Sequence, residues 1–283
     1  MSMKVLLTGC KGQLGLELIR QFGRFPGVYD VLETDVHNLD ITDQAEVFSL
    51  VRKEKPEVVI NCAAYTNVNR CETDELNAFK VNAAGARNLS AAAFSAGAGI
   101  VQISTDYVFD GSGNAPKREY DSINPQSVYG KSKALGEILV RETNPRHYIL
   151  RTAWLYGEGN NFVRTMLRLA KEKEALKVIY DQIGTPTSTK DLAECIINII
   201  NTGSYGTYHA TCEGDCSWYD FACKIFELKG IDIRVERITT EQFNSPSARP
   251  KYSVLENHML ELINLNTFRN WEEALKDYLK GEN

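Results

Sequence analysis

The sequence predicts an α/β fold: a doubly wound parallel sheet with helices on both faces, followed by a smaller C-terminal α/β lobe. Three observations carry that expectation. Short apolar runs alternate with helix-like stretches through the first 152 residues. The apolar runs are continuous, as in strands buried on both faces. After Thr152 the rhythm changes, which sets the second half apart.

The elements follow in order. Residues 4–8, centred on Val5-Leu6-Leu7, form a short buried strand, and a glycine-containing turn leads to a helix from about Gln13. A second strand spans 28–34, and a helix over 43–53 places Val47, Leu50 and Val51 on one face. Val58-Val59-Ile60 centres a third strand over 57–61, before an Ala-rich helix over 82–96. A strand over 99–104, a long helix over 126–142 and a strand over 147–152 complete the first half. Strand and helix alternating in this way imply parallel strands and right-handed crossovers. In the second half, 161–173 and 189–201 read as helices and 205–210 as a strand. Ser217 and Asp220 form a capping pair for a helix over 217–228. Residues 239–252, with Pro246 and Pro250, are irregular, and a last helix covers 267–279. The expected division is a first domain over 1–152 and a second lobe over 153–283, with the 189–201 helix returning to the first.

Composition narrows the function. The chain has 283 residues, 32 Lys and Arg against 37 Asp and Glu, and a net charge of −5. A mildly acidic chain without a basic run is a poor ligand for nucleic acid or anionic membranes. The N-terminal apolar run is too short for a secretion signal, and no stretch reaches the ~20 apolar residues of a membrane span. A cytoplasmic protein, monomer or homodimer, is expected. Seven cysteines without CxxC spacing fit reduced thiols. His209, Cys212 and Cys216 lack a fourth partner, so no metal is expected.

The first turn reads Gly9-Cys10-Lys11-Gly12-Gln13-Leu14-Gly15. Glycines between a strand and a helix permit a tight turn and let backbone amides approach a pyrophosphate at the helix N-terminus. The expectation is a Rossmann-type domain for NADH or NADPH. Asp35, at the end of the second strand, suits the adenosine ribose hydroxyls and would repel a 2′-phosphate, which Lys11 could offset. Asp40 and Ile41 could flank the adenine. Ala63, Ala64 and Tyr65 close the third strand, where small residues leave room for a flat ligand.

Tyr129 and Lys133 lie four apart at the start of the long helix and share a face. A phenol with a pKa near 10 is a poor acid–base at neutral pH, and an adjacent ammonium lowers that value. Such a pair can protonate a carbonyl as hydride arrives. This spacing is common on any helix, so its company matters. Ser104-Thr105-Asp106 ends the fourth strand, where a hydroxyl can hold a substrate oxygen, and Asn82 could position a water or a backbone kink near Lys133.

These stretches resemble the extended short-chain dehydrogenases/reductases and, more narrowly, the dTDP-4-dehydrorhamnose reductase family. The likeness runs in order through Gly12-Gln13-Leu14-Gly15, Asn61-Cys62-Ala63-Ala64, the STDYVFDG run at 104–111 and Tyr129-Gly130-Lys131-Ser132-Lys133. It continues through RTAWLYG at 151–157, GNNF at 159–162, GTPT at 184–187 and Arg249-Pro250 with Ser253. The resemblance implies reduction of the 4-keto group of dTDP-4-dehydro-β-L-rhamnose to dTDP-L-rhamnose. Thr105, Tyr129 and Lys133 would be catalytic, with Tyr129 the proton donor and Lys133 also on the nicotinamide ribose. Thr105, Asp106, Tyr107 and Trp154 would meet the sugar, and an aromatic face suits the apolar side of its ring. Tyr65 stands where members often carry His. A sugar-nucleotide dehydratase or epimerase is a neighbouring possibility, but dehydratases resemble Thr-Asp-Glu where Tyr107 follows Asp106 here. A binding subunit like the methionine adenosyltransferase β subunit is the non-catalytic alternative.

Overall fold

The structure, a computed structural model, describes residues 2–281. Strands β1 (Met3–Thr8), β2 (Tyr29–Thr34), β3 (Val58–Asn61), β4 (Gly99–Thr105) and β5 (His147–Thr152) follow the expected rhythm. The second half adds β6 (Leu155–Tyr156), β7 (Ala175–Ile179), β8 (Ile183–Gly184), β9 (Thr187–Ser188), β10 (Gly206–His209), β11 (Cys216–Ser217) and β12 (Arg234–Ile238). A six-stranded sheet runs in the order β10-β5-β4-β3-β1-β2, with every pairing parallel. Its strands alternate between two cores. Leu6, Val59, Ile100 and Ile149 face one side, and Val5, Leu7, Ile60, Val101 and Leu150 the other. All nine are fully buried.

Helices α1 (Gln13–Phe22), α2 (Gln44–Glu54), α3 (Val68–Cys71), α4 (Glu75–Phe79), α5 (Ala86–Ser95) and α6 (Val128–Thr143) belong to the first half. The second contains α7 (Phe162–Glu172), α8 (Thr189–Ile199), α9 (Trp218–Lys229), α10 (Thr240–Phe243), α11 (His258–Leu262) and α12 (Trp271–Gly281). Local capping explains several starts. Asp43 accepts from Glu46 N, Ser127 from Gly130 N, and Ser217 with Asp220 closes a full capping box. The α6 helix thus begins after Ser127 rather than at Gln126. Residues 239–252 hold one helical turn, α10, capped by Thr239 and Gln242.

Two departures from the sequence pattern shape the site. The helix expected from residue 82 begins earlier, as α4, and passes through a π-helical stretch over Lys80–Gly85 into α5. Such bulges alter the backbone locally and often sit at functional sites. The bulge brings the Asn82 carbonyl against α6, where a Cβ on Gly136 would lie 2.3 Å from it. The second departure is the sheet edge. Helix α8 packs on α1, with Gln21 Nε2 donating to Lys190 O at 2.8 Å. Strand β10, which the pattern leaves with the second lobe, also joins the sheet, beside β5. Among the described residues no helix is long and apolar enough to cross a membrane.

Candidate active site

The glycine turn has the geometry its residues require. Gly9 has φ +66°, and a Cβ there would fall 2.7 Å from Ala63 N, so the turn rests directly on the end of β3. A Cβ on Gly15 would meet Gly9 O at 2.3 Å, which explains how closely α1 approaches the turn. Asp35 reaches this loop from β2, its carboxylate accepting from Lys11 N at 3.2 Å.

Two cavities open along the C-terminal edge of the sheet and share Gly9, Gly12, Cys62 and Ala64 in their walls. The smaller, 340 Å³, is bounded by Asp35, Asp40, Ile41, Ala63, Ala64 and Tyr65. The larger, 530 Å³, runs from Gly12, Gln13 and Leu14 to Thr105, Asp106, Tyr107, Tyr129, Lys133 and Trp154. The residues expected at the cofactor, the sugar and the proton-transfer pair therefore lie on one of two adjoining walls, whereas Lys11 and Asn82 line neither. Their side chains are not all free. The Asp40 carboxylate accepts from Thr42 N and Oγ1 at 2.9 and 2.7 Å, bonds that hold it below the usual carboxylate range. The Tyr65 hydroxyl donates to Asp74 at 3.1 Å, so its phenol is engaged with the segment before α4.

Asn82 acts differently from the expectation. It accepts from Tyr65 N at 2.8 Å and donates to Tyr65 O and Ser132 Oγ at 3.1 and 3.0 Å. It clamps the β3 exit to α6 through the neighbour of Lys133 rather than through Lys133 itself.

Tyr129 and Lys133 depart from the expected electrostatics. Lys133 is 4% exposed, and its Nζ donates to the Ile103 carbonyl at 2.6 Å. Burial pushes the ammonium down to about 8, against the opposing fields of Glu137 and Cys62. Tyr129 moves upward, not downward: burial dominates, and a hydrogen bond with Thr105 only partly offsets it. Desolvation, rather than a neighbouring ammonium, sets the direction of this phenol. A neutral phenol is nonetheless the form that can give a proton.

Asp106 is buried, and burial raises its carboxyl to about 6 against hydrogen bonds from Ser253 and Thr105. Thr105 Oγ1 lies 2.9 Å from Asp106 Oδ1 and accepts from Tyr107 N at 3.3 Å. The Tyr107 ring meets that of Tyr129 edge-on, with centroids 5.5 Å apart. Burial drives the Tyr107 phenol up to about 12. Three atoms of the larger cavity's lining residues are buried without a partner among the described residues: Gln13 Oε1, Thr152 Oγ1 and Asp106 Oδ2. Buried polar atoms are ordinarily satisfied, so these fit a polar ligand such as a nicotinamide cofactor or a sugar.

Trp154 has φ +46°, a conformation uncommon outside glycine. Packing holds it there: Gly184 lies so close that a Cβ would fall 2.6 Å from the indole. Trp218 stacks on Trp154 with centroids 3.5 Å apart and planes within 9°. The sequence reading missed Trp218, whose only local signal is its place at the first turn of a capped helix. One face of Trp154 is thus covered by Trp218, and the two indoles form one aromatic wall of the cavity.

Comparisons with known proteins place the chain in a family. Residues 3–283 match the family model described as RmlD substrate binding domain. A crystal structure of a dTDP-4-dehydrorhamnose reductase from Clostridium acetobutylicum is 54% identical, with a TM-score of 0.97 and 99% of both chains covered. That of the Bacillus anthracis dTDP-4-dehydrorhamnose reductase in complex with NADP is 42% identical, with a TM-score of 0.97, covering 99% of this chain and 100% of that one. The spore coat polysaccharide biosynthesis protein SpsK of Bacillus subtilis is 44% identical over 98% of this chain and 97% of its own. With the glycine turn, the YxxxK pair and the full-length match in agreement, the chain belongs to the dTDP-4-dehydrorhamnose reductase family of extended short-chain dehydrogenases/reductases.

Proposed function

We propose that this protein reduces the C4 ketone of dTDP-4-dehydro-β-L-rhamnose to dTDP-L-rhamnose, using NADH or NADPH, and so supplies a nucleotide sugar for cell-surface polysaccharide in the cytoplasm. The observation that carries this reading is the convergence of Thr105, Tyr129 and Lys133 with the Trp154–Trp218 wall in the cavity the glycine turn opens. The NADP in the Bacillus anthracis structure and the polysaccharide role in the name SpsK support it.

When bound, the nicotinamide supplies the hydride; the chain's own groups do the rest. Amides of the glycine turn and the N-terminus of α1 meet the pyrophosphate. Asp35 meets the adenosine ribose, and the Lys133 ammonium the nicotinamide ribose. Tyr129, kept neutral by burial, gives its proton to the C4 oxygen, and Thr105 steadies both that oxygen and the phenol. Tyr107 and the tryptophan wall hold the sugar ring. The position after Asp106 holds Tyr107, not the extra carboxylate that elimination of water needs, which favours simple reduction.

The test is to follow NADH and NADPH oxidation with the enzymatically generated 4-keto nucleotide sugar. Consumption of either cofactor with formation of dTDP-L-rhamnose is expected. Tyr129→Phe should keep cofactor binding and lose about 10²–10⁴ in turnover. Oxidation of neither cofactor would overturn the proposal.

A further inference from the structure

Helix α6 carries a third titratable side chain in line with the reactive pair. Tyr129, Lys133 and Glu137 follow at four-residue steps and share one helix face. Glu137 is fully buried, and the reaction described above gives it no part. A carboxylate cut off from water stays ionised only among cations and donors. Arg151 on β5 supplies both, with Nε 2.9 Å from Oε1 and Nη2 2.8 Å from Oε2. The Ser104 hydroxyl donates to Oε1 at 2.5 Å, and Arg141 stands 3.6 Å from Oε2. Ser104 is the residue before Thr105, so this bond fixes the end of β4 where the catalytic hydroxyl sits.

Lys133 needs such a neighbour. Its direct partner is a neutral carbonyl, that of Ile103. Two titratable groups favour its charged form: Glu137 on its own helix and Cys62 at the end of β3. Burial pushes the Cys62 thiol up to about 12, so it is uncharged at neutral pH and Glu137 is the effective anion. His209 on β10, 3.5 Å from Arg151, is pushed down to about 3 by burial and by that guanidinium, so it adds no charge.

We propose that Glu137 is a positioning residue of the reduction: clamped by Arg151 and Ser104, its carboxylate keeps Lys133 an ammonium and anchors the strand end that carries Thr105. The proposal rests on the reading of Tyr129 and Lys133 as the proton-transfer pair. Arg151 also donates to the Glu119 carbonyl at 3.3 Å, and the Glu119 carboxylate accepts from His209 N and Met259 N. The pair thus also ties α6 to the second half of the chain, and the test must separate that structural role from the electrostatic one.

Glu137→Gln keeps the shape and removes the charge. The alkaline limb of its kcat/KM profile, where Lys133 loses its proton, should move about one pH unit lower. On that limb the variant should fall about tenfold further below wild type than it does on the plateau. A merely structural role would lower the whole profile without moving the limb. Glu137→Gln/Arg151→Met leaves no unpaired guanidinium, which guards against failure to fold, and its limb should move the same way. An unmoved limb in either folded variant would overturn the proposal. Tyr129→Phe, measured alongside, separates the two failures. Retained turnover there would sink the reading of the pair itself. Lost turnover there with an unmoved Glu137→Gln limb would sink only the role of Glu137.

Discussion

Gly130→Ala is a small change with a large expected effect on the reaction. Gly130 lies in the first turn of α6, between Tyr129 and Lys131, with the backbone of Tyr107 pressed against it. A Cβ there would fall 2.2 Å from the Tyr107 carbonyl oxygen and 3.1 Å from Pro125 Cβ. Ordinary contact between carbon and its neighbours begins near ~3.5 Å, so helix and turn must part by roughly 1 Å. The turn that moves carries Asp106 and Tyr107 and is bonded to Thr105 Oγ1. The shift therefore opens the contact between Thr105 and the Tyr129 phenol. Misplacing reacting groups by about 1 Å costs on the order of 10² in rate, and overpacking costs about 1–3 kcal/mol of stability. The glycine turn lies on β1 and α1, so cofactor affinity should stay within about threefold. Steady-state turnover, a thermal melt and a nicotinamide fluorescence titration would be read together. Turnover within about threefold of wild type, in a variant with a lowered melting temperature, would refute the reasoning.

Three further outcomes follow from the same geometry. Trp218→Ala should abolish the exciton signature of the stacked indoles in circular dichroism and raise the KM for the sugar nucleotide about tenfold, the ~1 kcal/mol scale of an aromatic contact. An unchanged KM would remove Trp218 from the sugar wall. Asp35→Asn removes a carboxylate beside the glycine turn and should shift the kcat/KM ratio about tenfold toward NADPH; an unchanged ratio would mean that Asp35 does not read the ribose. Asp106 has a folded pKa of about 6 against an ordinary 3.8, so the native state binds its proton more tightly than the unfolded chain. The apo protein should therefore lose stability, on the order of 3 kcal/mol, as pH rises from about 4 to about 6. Asp106→Asn should remove that slope, and parallel stability curves for the two proteins would contradict the buried-carboxyl account.

Features that depend on neighbours along the chain are legible without the fold. The apolar runs around Val5, Val59 and Ile100 declared buried parallel strands. Glycine spacing declared the turn after β1, and a four-residue step placed Tyr129 and Lys133 on one face of α6. Those are matters of backbone sterics and helical period, and each is local. Tertiary structure decided the rest, because the contacts join residues remote in sequence. Strand β10 completes the sheet only because β5 offers an unpaired edge. The π-helical turn at Asn82 becomes meaningful only against Gly136 of α6. Trp218 joins the site through its stack on Trp154. Burial, which no local pattern reports, reversed the expected direction of the Tyr129 phenol and surrounded Glu137 with Arg151 and Ser104. Desolvation depends on everything packed around a group, so residues that line the two cavities could be picked out along the sequence while the directions of their pKa shifts could not.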